Sequence, residues 1–179
     1  MNRRTFLWAP VLLALGQKAG AHTPFGQWVV YRKKHLLVGA HRADPPTYDL
    51  AKKVAAELAE HLPKSKSRVA RAPTAGRLAS LIGTDQLDVA VLSPEDAVGM
   101  MSGMGSFEPY GKINLKLLAH LGARLLVAHE RFPVRHAWLV TAALAEAKII
   151  SQTSTPPAQI DWHPGSRMYN DGKPVPPSG

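Results

Sequence analysis

Cysteine is absent from the 179 residues. That excludes disulfides, thiolate metal sites and a cysteine nucleophile, and leaves core packing to stabilise the fold. Acid is scarce, with 13 Asp and Glu against 22 Lys and Arg, and aromatic side chains make up only 7%. The bases are spread out, with local groups at Arg32-Lys33-Lys34 and at Lys64, Lys66, Arg68 and Arg71. A nucleic-acid surface calls for a denser basic stripe interleaved with aromatics, so no nucleic-acid partner is expected. A surface that attracts anions or anionic lipid is the more modest reading. No Gly-x-Ser-x-Gly elbow, Walker loop, His-Glu-x-x-His or paired-carboxylate motif is present. A non-enzyme without cofactor or metal is therefore the expectation, although catalytic triads need no sequence proximity.

Long hydrophobic runs are also lacking. Arg3-Arg4 precedes an apolar run from Phe6 to Leu15, interrupted by Pro10 and followed by Ala19-Gly20-Ala21. The run is about half the roughly 20 residues needed to span a bilayer. Basic start, short apolar core and small residues are the order of a secretory signal. Residues 1–21 are read as that signal, cut after Ala21, and the protein as periplasmic and soluble after cleavage. The pair Arg3-Arg4 with Phe6-Leu7 behind it resembles the twin-arginine signal, a route that carries folded proteins; an ordinary export signal is the plainer alternative. Removing Arg3, Arg4 and Lys18 leaves 19 bases against 13 acids, a net charge of +6. His22 would then lead the chain and could chelate copper through its amine and ring, but no second histidine has a spacing that predicts convergence.

The remainder, residues 22–150, is long enough for one domain with a real core. Trp28 to Tyr31 reads as a short lead-in strand, and Leu36-Leu37-Val38-Gly39 as a buried strand ended by its glycine. Pro45-Pro46 breaks the chain. From Thr47 to His61, Leu50, Val54, Leu58 and Leu62 recur every four residues, a helix that Pro63 stops. Ser67–Ala72 is a second strand. Thr74 caps a short helix bearing Leu78, Leu81 and Ile82, with Gly83 at its end. Leu87–Leu92 is the clearest strand, and Ser93-Pro94-Glu95-Asp96 opens a helix with a serine cap, a proline and two first-turn acids. Residues 102–112 read as a Gly-rich loop. Two strands, Leu115–Leu121 and Leu125–His129, meet at Gly122, and Ala137–Ala147 is a helix. The tail, 151–179, is rich in Pro and Gly and is expected to be largely irregular.

Alternation of this kind predicts an α/β fold: a single three-layer domain with a mostly parallel sheet covered on both faces. Ligands on such sheets bind at the C-terminal ends of the strands, where strand order reverses. The candidate site is therefore built from the turn after Gly39 and the helix starts at Thr74 and Ser93.

The stretch Arg71–Ser93, in which a helix ending at Gly83 precedes Asp88-Val89-Ala90-Val91, resembles the first lobe of type 2 periplasmic solute-binding proteins. It is most similar to the TAXI-type receptors of TRAP transporters. Val38-Gly39-Ala40 with Tyr48 resembles their first glycine-bearing loop and aromatic, and Trp162–Tyr169 their His-Pro-Gly segment. The similarity spans about residues 35–169. It departs from the family in one large respect: a second lobe is missing, and Glu130 to Arg135 stand where it is expected, so the chain resembles one lobe alone. The first loop departs too, with His41-Arg42-Ala43-Asp44 in place of Gly, Ser and Thr.

The resemblance implies a small organic anion held by the helix starts. The candidate ligand residues are His41, Arg42, Tyr48, Thr74, Arg77, Ser93 and Glu95. Helix N-termini offer free N–H groups and a positive dipole end, and arginine offers a planar fork. The plainer reading makes Thr74 and Ser93 caps only, and Arg42 and Arg77 solvated charges. Two functions remain open. One is a solute-binding-like protein serving a membrane transporter or a sensor. The other is a non-enzymatic accessory or assembly partner of an exported redox enzyme, with Met100, Met101 and Met104 as an adaptable contact.

Overall fold

The computed structural model describes residues 35–150 and 160–177. The proposed signal, His22 and the lead-in strand at Trp28–Tyr31 lie outside the described residues, as does the first part of the tail. The described residues form five strands and five α-helices: β1 (Leu37–His41), α1 (Pro45–His61), β2 (Arg68–Ala72), α2 (Ala75–Gly83), β3 (Val89–Leu92), α3 (Pro94–Ser102), β4 (Leu115–Leu121), β5 (Arg124–His129), α4 (Val134–Glu146) and α5 (Pro164–Asn170). No helix among them is long and apolar enough to cross a membrane.

One sheet with the order β2-β1-β3-β5-β4 carries the fold. β1 runs parallel to both β2 and β3, whereas β5 is antiparallel to β3 and to β4. Four strands thus point one way, and β5 is inserted between two of them in reverse. The step from β1 to β2 and the step from β2 to β3 move in opposite directions across the sheet. Right-handed crossovers then require their helices on opposite faces. The cores agree. α1 and α4 pack Val54, Leu58, Val140 and Leu144 against Val38, Val89, Val91 and Leu126 on one face. α2 and α3 pack Leu78, Ile82, Ala97 and Met100 against Leu37, Ala90, Leu92 and Leu125 on the other. Three layers result, and β1 and β3 at the centre are buried on both faces.

Several boundaries differ from the expectation. β1 does not stop at Gly39 but continues to His41, and Gly39 lies inside it. A Cβ at Gly39 would stand 2.7 Å from the Leu78 side chain, so glycine here lets α2 lie close on the sheet. Pro45-Pro46 does not break the chain but forms the first turn of α1, where a missing N–H costs nothing. The loop 102–112 contains a 3-10 segment, Gly105–Tyr110, which seats Phe107 in the α2–α3 core.

Within the expected irregular tail, the described residues include two ordered pieces. Leu117 and Trp162 form a parallel bridge beside β4, and α5 follows. α5 rests on the start of α4 at Gly165, where a Cβ would overlap the Val134 carbonyl. His163 is fully buried; its Nδ1 accepts from the Gly165 N–H at 3.2 Å, so its Nε2–H donates to the Phe132 carbonyl at 2.9 Å. Thr141 donates to the Ala137 carbonyl and shares a 2.7 Å bond with Ser166. The His-Pro-Gly-Ser run is a buttress of satisfied polar groups.

Candidate functional site: the C-terminal edge of the sheet

Because β1, β2 and β3 are parallel neighbours, the residues that follow them emerge along one edge. The connection from β1 leads one way, to β2, and that from β3 leads the other way, toward β4. The switch point therefore lies between β1 and β3, and three helix starts (α1, α2 and α3) surround it.

The three starts are chemically unlike. At α1, Pro45 and Pro46 have no N–H, and the Thr47 and Tyr48 amides both go to the Asp44 carbonyl. At α3, Pro94 has no N–H, the Ser93 hydroxyl takes the Asp96 amide at 3.1 Å, and Glu95 and Asp96 bring two negative charges. Neither start has room for a further anion. α2 is different. Its first turn carries no acid, and Thr74 takes the Arg77 amide at 3.2 Å, leaving those of Ala75 and Gly76 beyond the reach of in-helix acceptors. Tyr110 covers this turn: its hydroxyl lies 2.9 Å from where a Gly76 Cβ would be. Arg42 is anchored beside it, donating its backbone N–H to the Ala72 carbonyl at 3.0 Å, with an exposed side chain.

His41 is the last residue of β1 and is only 4% exposed. Alternation along the strand puts it on the α2–α3 face, where its Nε2 lies 3.0 Å from Asp96 Oδ2. Its Nδ1 is buried without a hydrogen-bond partner. Beyond Asp96, the reversed β5 delivers its first residue, Arg124, to the same edge, since Leu92 pairs with Leu125. Arg124 grips Asp44 with Nε to Oδ2 at 2.9 Å and Nη2 to Oδ1 at 3.1 Å, a bidentate pair that the Thr47 hydroxyl joins. The Arg124 guanidinium holds the Asp44 carboxyl below the usual carboxylate range. Asp44 in turn raises the Arg124 pKa, with smaller pulls from Glu95 and Asp96.

Of the expected ligand residues, the structure gathers His41, Ser93 and Glu95 at the α3 start, and Arg42 and Thr74 at the α2 start. Tyr48 does not join them. It packs against the α1–α4 core, and its ring carries Arg71 at 4.8 Å and Lys52 at 5.0 Å. The Arg77 side chain is exposed and runs along α2 to Ser80 at 3.4 Å. Asp44, Thr47, Asp96, Tyr110 and Arg124 are additions to the site. Asp96 was legible as a first-turn acid three residues after a cap, but nothing local links position 124 to position 44.

Residues 130–135, where the resemblance expects a second lobe, lie away from the site. His129 ends β5 with its N–H on the Asp88 carbonyl, at the start of β3, so 130–135 lie at the opposite edge of the sheet. A lobe inserted there would not face the site. The segment that does reach the site edge is Gly122-Ala123, the two-residue turn between β4 and β5. Among the described residues no group of three or more His, Asp or Glu is placed to hold a metal ion. Comparison with protein-family models and with curated proteins finds no match for this chain.

Proposed function

We propose that this is an extracytoplasmic solute-binding-like protein that recognises a small organic anion at the start of α2, for a transporter or a sensor. The observation that carries the reading is the contrast among the three helix starts. α2 alone combines unclaimed amides and an acid-free first turn with a flanking cation, Arg42. The Tyr110 hydroxyl adds a donor at the same turn. The export signal read from residues 1–21 supports action outside the cytoplasm, and the resemblance to type 2 solute-binding proteins supports the class.

A thermal-shift screen of small carboxylates tests the proposal. A ligand that binds the folded state raises Tm in proportion to the logarithm of its concentration above Kd. Arg42→Ala should remove that response while leaving the unliganded Tm in place. A chain that responds to no carboxylate and co-purifies with an exported redox enzyme would favour the accessory function instead.

A further inference from the structure

The geometry points to a second interaction surface, independent of the anion site: the free edge of β2 receives an extended acidic segment of a partner protein as an added strand. The two edges of the sheet differ in what covers them. At β4 the chain covers itself. The Leu117 N–H donates to the Asp161 carbonyl and the His163 N–H donates to the Leu117 carbonyl, both at 2.8 Å. The Asp161 carboxylate also meets the Lys116 ammonium at 3.0 Å. At the other edge β2 pairs with β1 alone among the described residues.

The bare edge has bonds to offer. Arg68 donates its N–H to the Leu36 carbonyl, and the Ala72 carbonyl accepts from Arg42, both at 3.0 Å. Residues 68, 70 and 72 therefore face β1, and strand alternation turns the N–H and C=O of Val69 and Arg71 outward. Such a row is a template for another chain. Val69 and Ala70 are only partly covered, one on each face of the sheet, and leave an apolar margin for an added strand.

Charge names the occupant. Arg68 and Arg71 are exposed, and so are Lys64 and Lys66 just ahead of the strand. None of the four forms an ion pair among the described residues. Arg71 lies over the Tyr48 ring on the α1 face; Arg68, an odd number of residues away, is on the α2 face. A second copy paired edge to edge would set these bases against each other. Lipid headgroups would answer the charges but not the outward amides and carbonyls. An extended segment with two carboxylates an odd number of residues apart answers both, as Asp161 does for Lys116 at the covered edge. Strand addition of this kind takes affinity from the main chain and specificity from the side chains.

Fluorescence anisotropy of labelled peptides of about eight residues, titrated with the full chain, tests this. The probe alternates Val and Thr and carries Glu at two positions three apart. It should bind, and replacing both Glu by Gln should weaken binding about ten-fold. N-methylation of its central residues, which keeps the charge and removes strand pairing, should weaken it by about as much. Arg68→Glu, at an exposed position, should also weaken the probe. Val69→Pro should do the same, because it removes an outward donor and leaves the ladder to β1 intact. Should that variant fail to fold, the N-methylated peptide puts the same question without altering the protein. Equal binding of the N-methylated peptide would overturn strand addition and leave an edge whose bases only prevent self-pairing. Binding of phosphatidylserine vesicles without binding of the probe would overturn it in favour of a membrane surface, and a probe that does not bind at all would overturn it outright. None of these outcomes touches the α2 site, which the carboxylate screen reads through Arg42.

Discussion

Two buried histidines divide this molecule into a part that is finished and a part that is not. His163, in the C-terminal buttress, uses both ring nitrogens, one on the Phe132 carbonyl and one on the Gly165 amide. His41, at the end of β1, uses one on Asp96 and leaves the other unpaired. Both sit beside tight backbone geometry and both are almost completely buried. The difference is in what surrounds them. Around His163 the donors and acceptors close on themselves, with Thr141 and Ser166 completing the set. Around His41 the neighbouring groups are bonded, but the ring's own Nδ1 is left without a partner among the described residues. Closed networks stabilise a fold, whereas a buried nitrogen left over weakens it.

Substitutions can break this contrast, and the largest effect belongs to the buttress. Gly165→Ala sets a Cβ into the Val134 carbonyl. Its expected cost is about 3 kcal/mol in urea unfolding, the upper end for overpacking. His163→Ala comes next, leaving the buried Phe132 carbonyl unpaired, at about 2 kcal/mol. The same change at His41 should cost half that or less, because its one bond is to a partly solvated carboxylate. Equal losses at the two positions would erase the distinction.

Acid sharpens the comparison further. Burial holds His163 below the usual histidine range, and burial lowers His129 in the same way. The unfolded chain takes up protons near the ordinary value of about 6.5, which these folded histidines refuse. Stability should therefore decline as pH falls below about 6.5, until the folded state is protonated as well. Unfolding measured from pH 7.5 to 5 should show that slope, and His163→Gln should flatten it.

Asp44 behaves in the opposite sense. Its carboxyl is lowered by Arg124, so its contribution is present above about pH 4 and is lost as the group protonates in acid. Asp44→Asn should cost about 1 kcal/mol at pH 7, discounted for partial exposure, and progressively less in acid. The smallest expected effect is Arg42→Ala. Denaturant midpoints should move within about 0.5 kcal/mol, as for an exposed residue without partners, while the response to carboxylates disappears.

The layered α/β class was legible because apolar periodicity changes between strand and helix along residues 36–146. The caps at Thr74 and Ser93 were legible because capping is a local contract between a side chain and an amide three residues on. What escaped was long-range. The sequence reading of a hairpin at Gly122 did not reveal that β5 inserts between β3 and β4, so Arg124 could not be assigned to the site edge 80 residues away from Asp44. Tyr48 was drawn to the site by its place in the chain. The first turn of α1 faces the opposite side of the sheet, and periodicity carries no signal for which side a helix takes. The helix at Pro164–Asn170 was hidden by composition, since its proline and glycine are there for a helix start and a close crossing.

The reversed strand β5 has one more consequence. Its turn with β4 is as short as a hairpin allows, and Gly122 supplies the positive φ of 64° that such a turn favours. Extra sequence could be spliced in here, directly above the C-terminal edge of the parallel strands, without disturbing either layer of the core. A segment grafted there would roof the edge that the helix starts surround, and two residues now stand in its place.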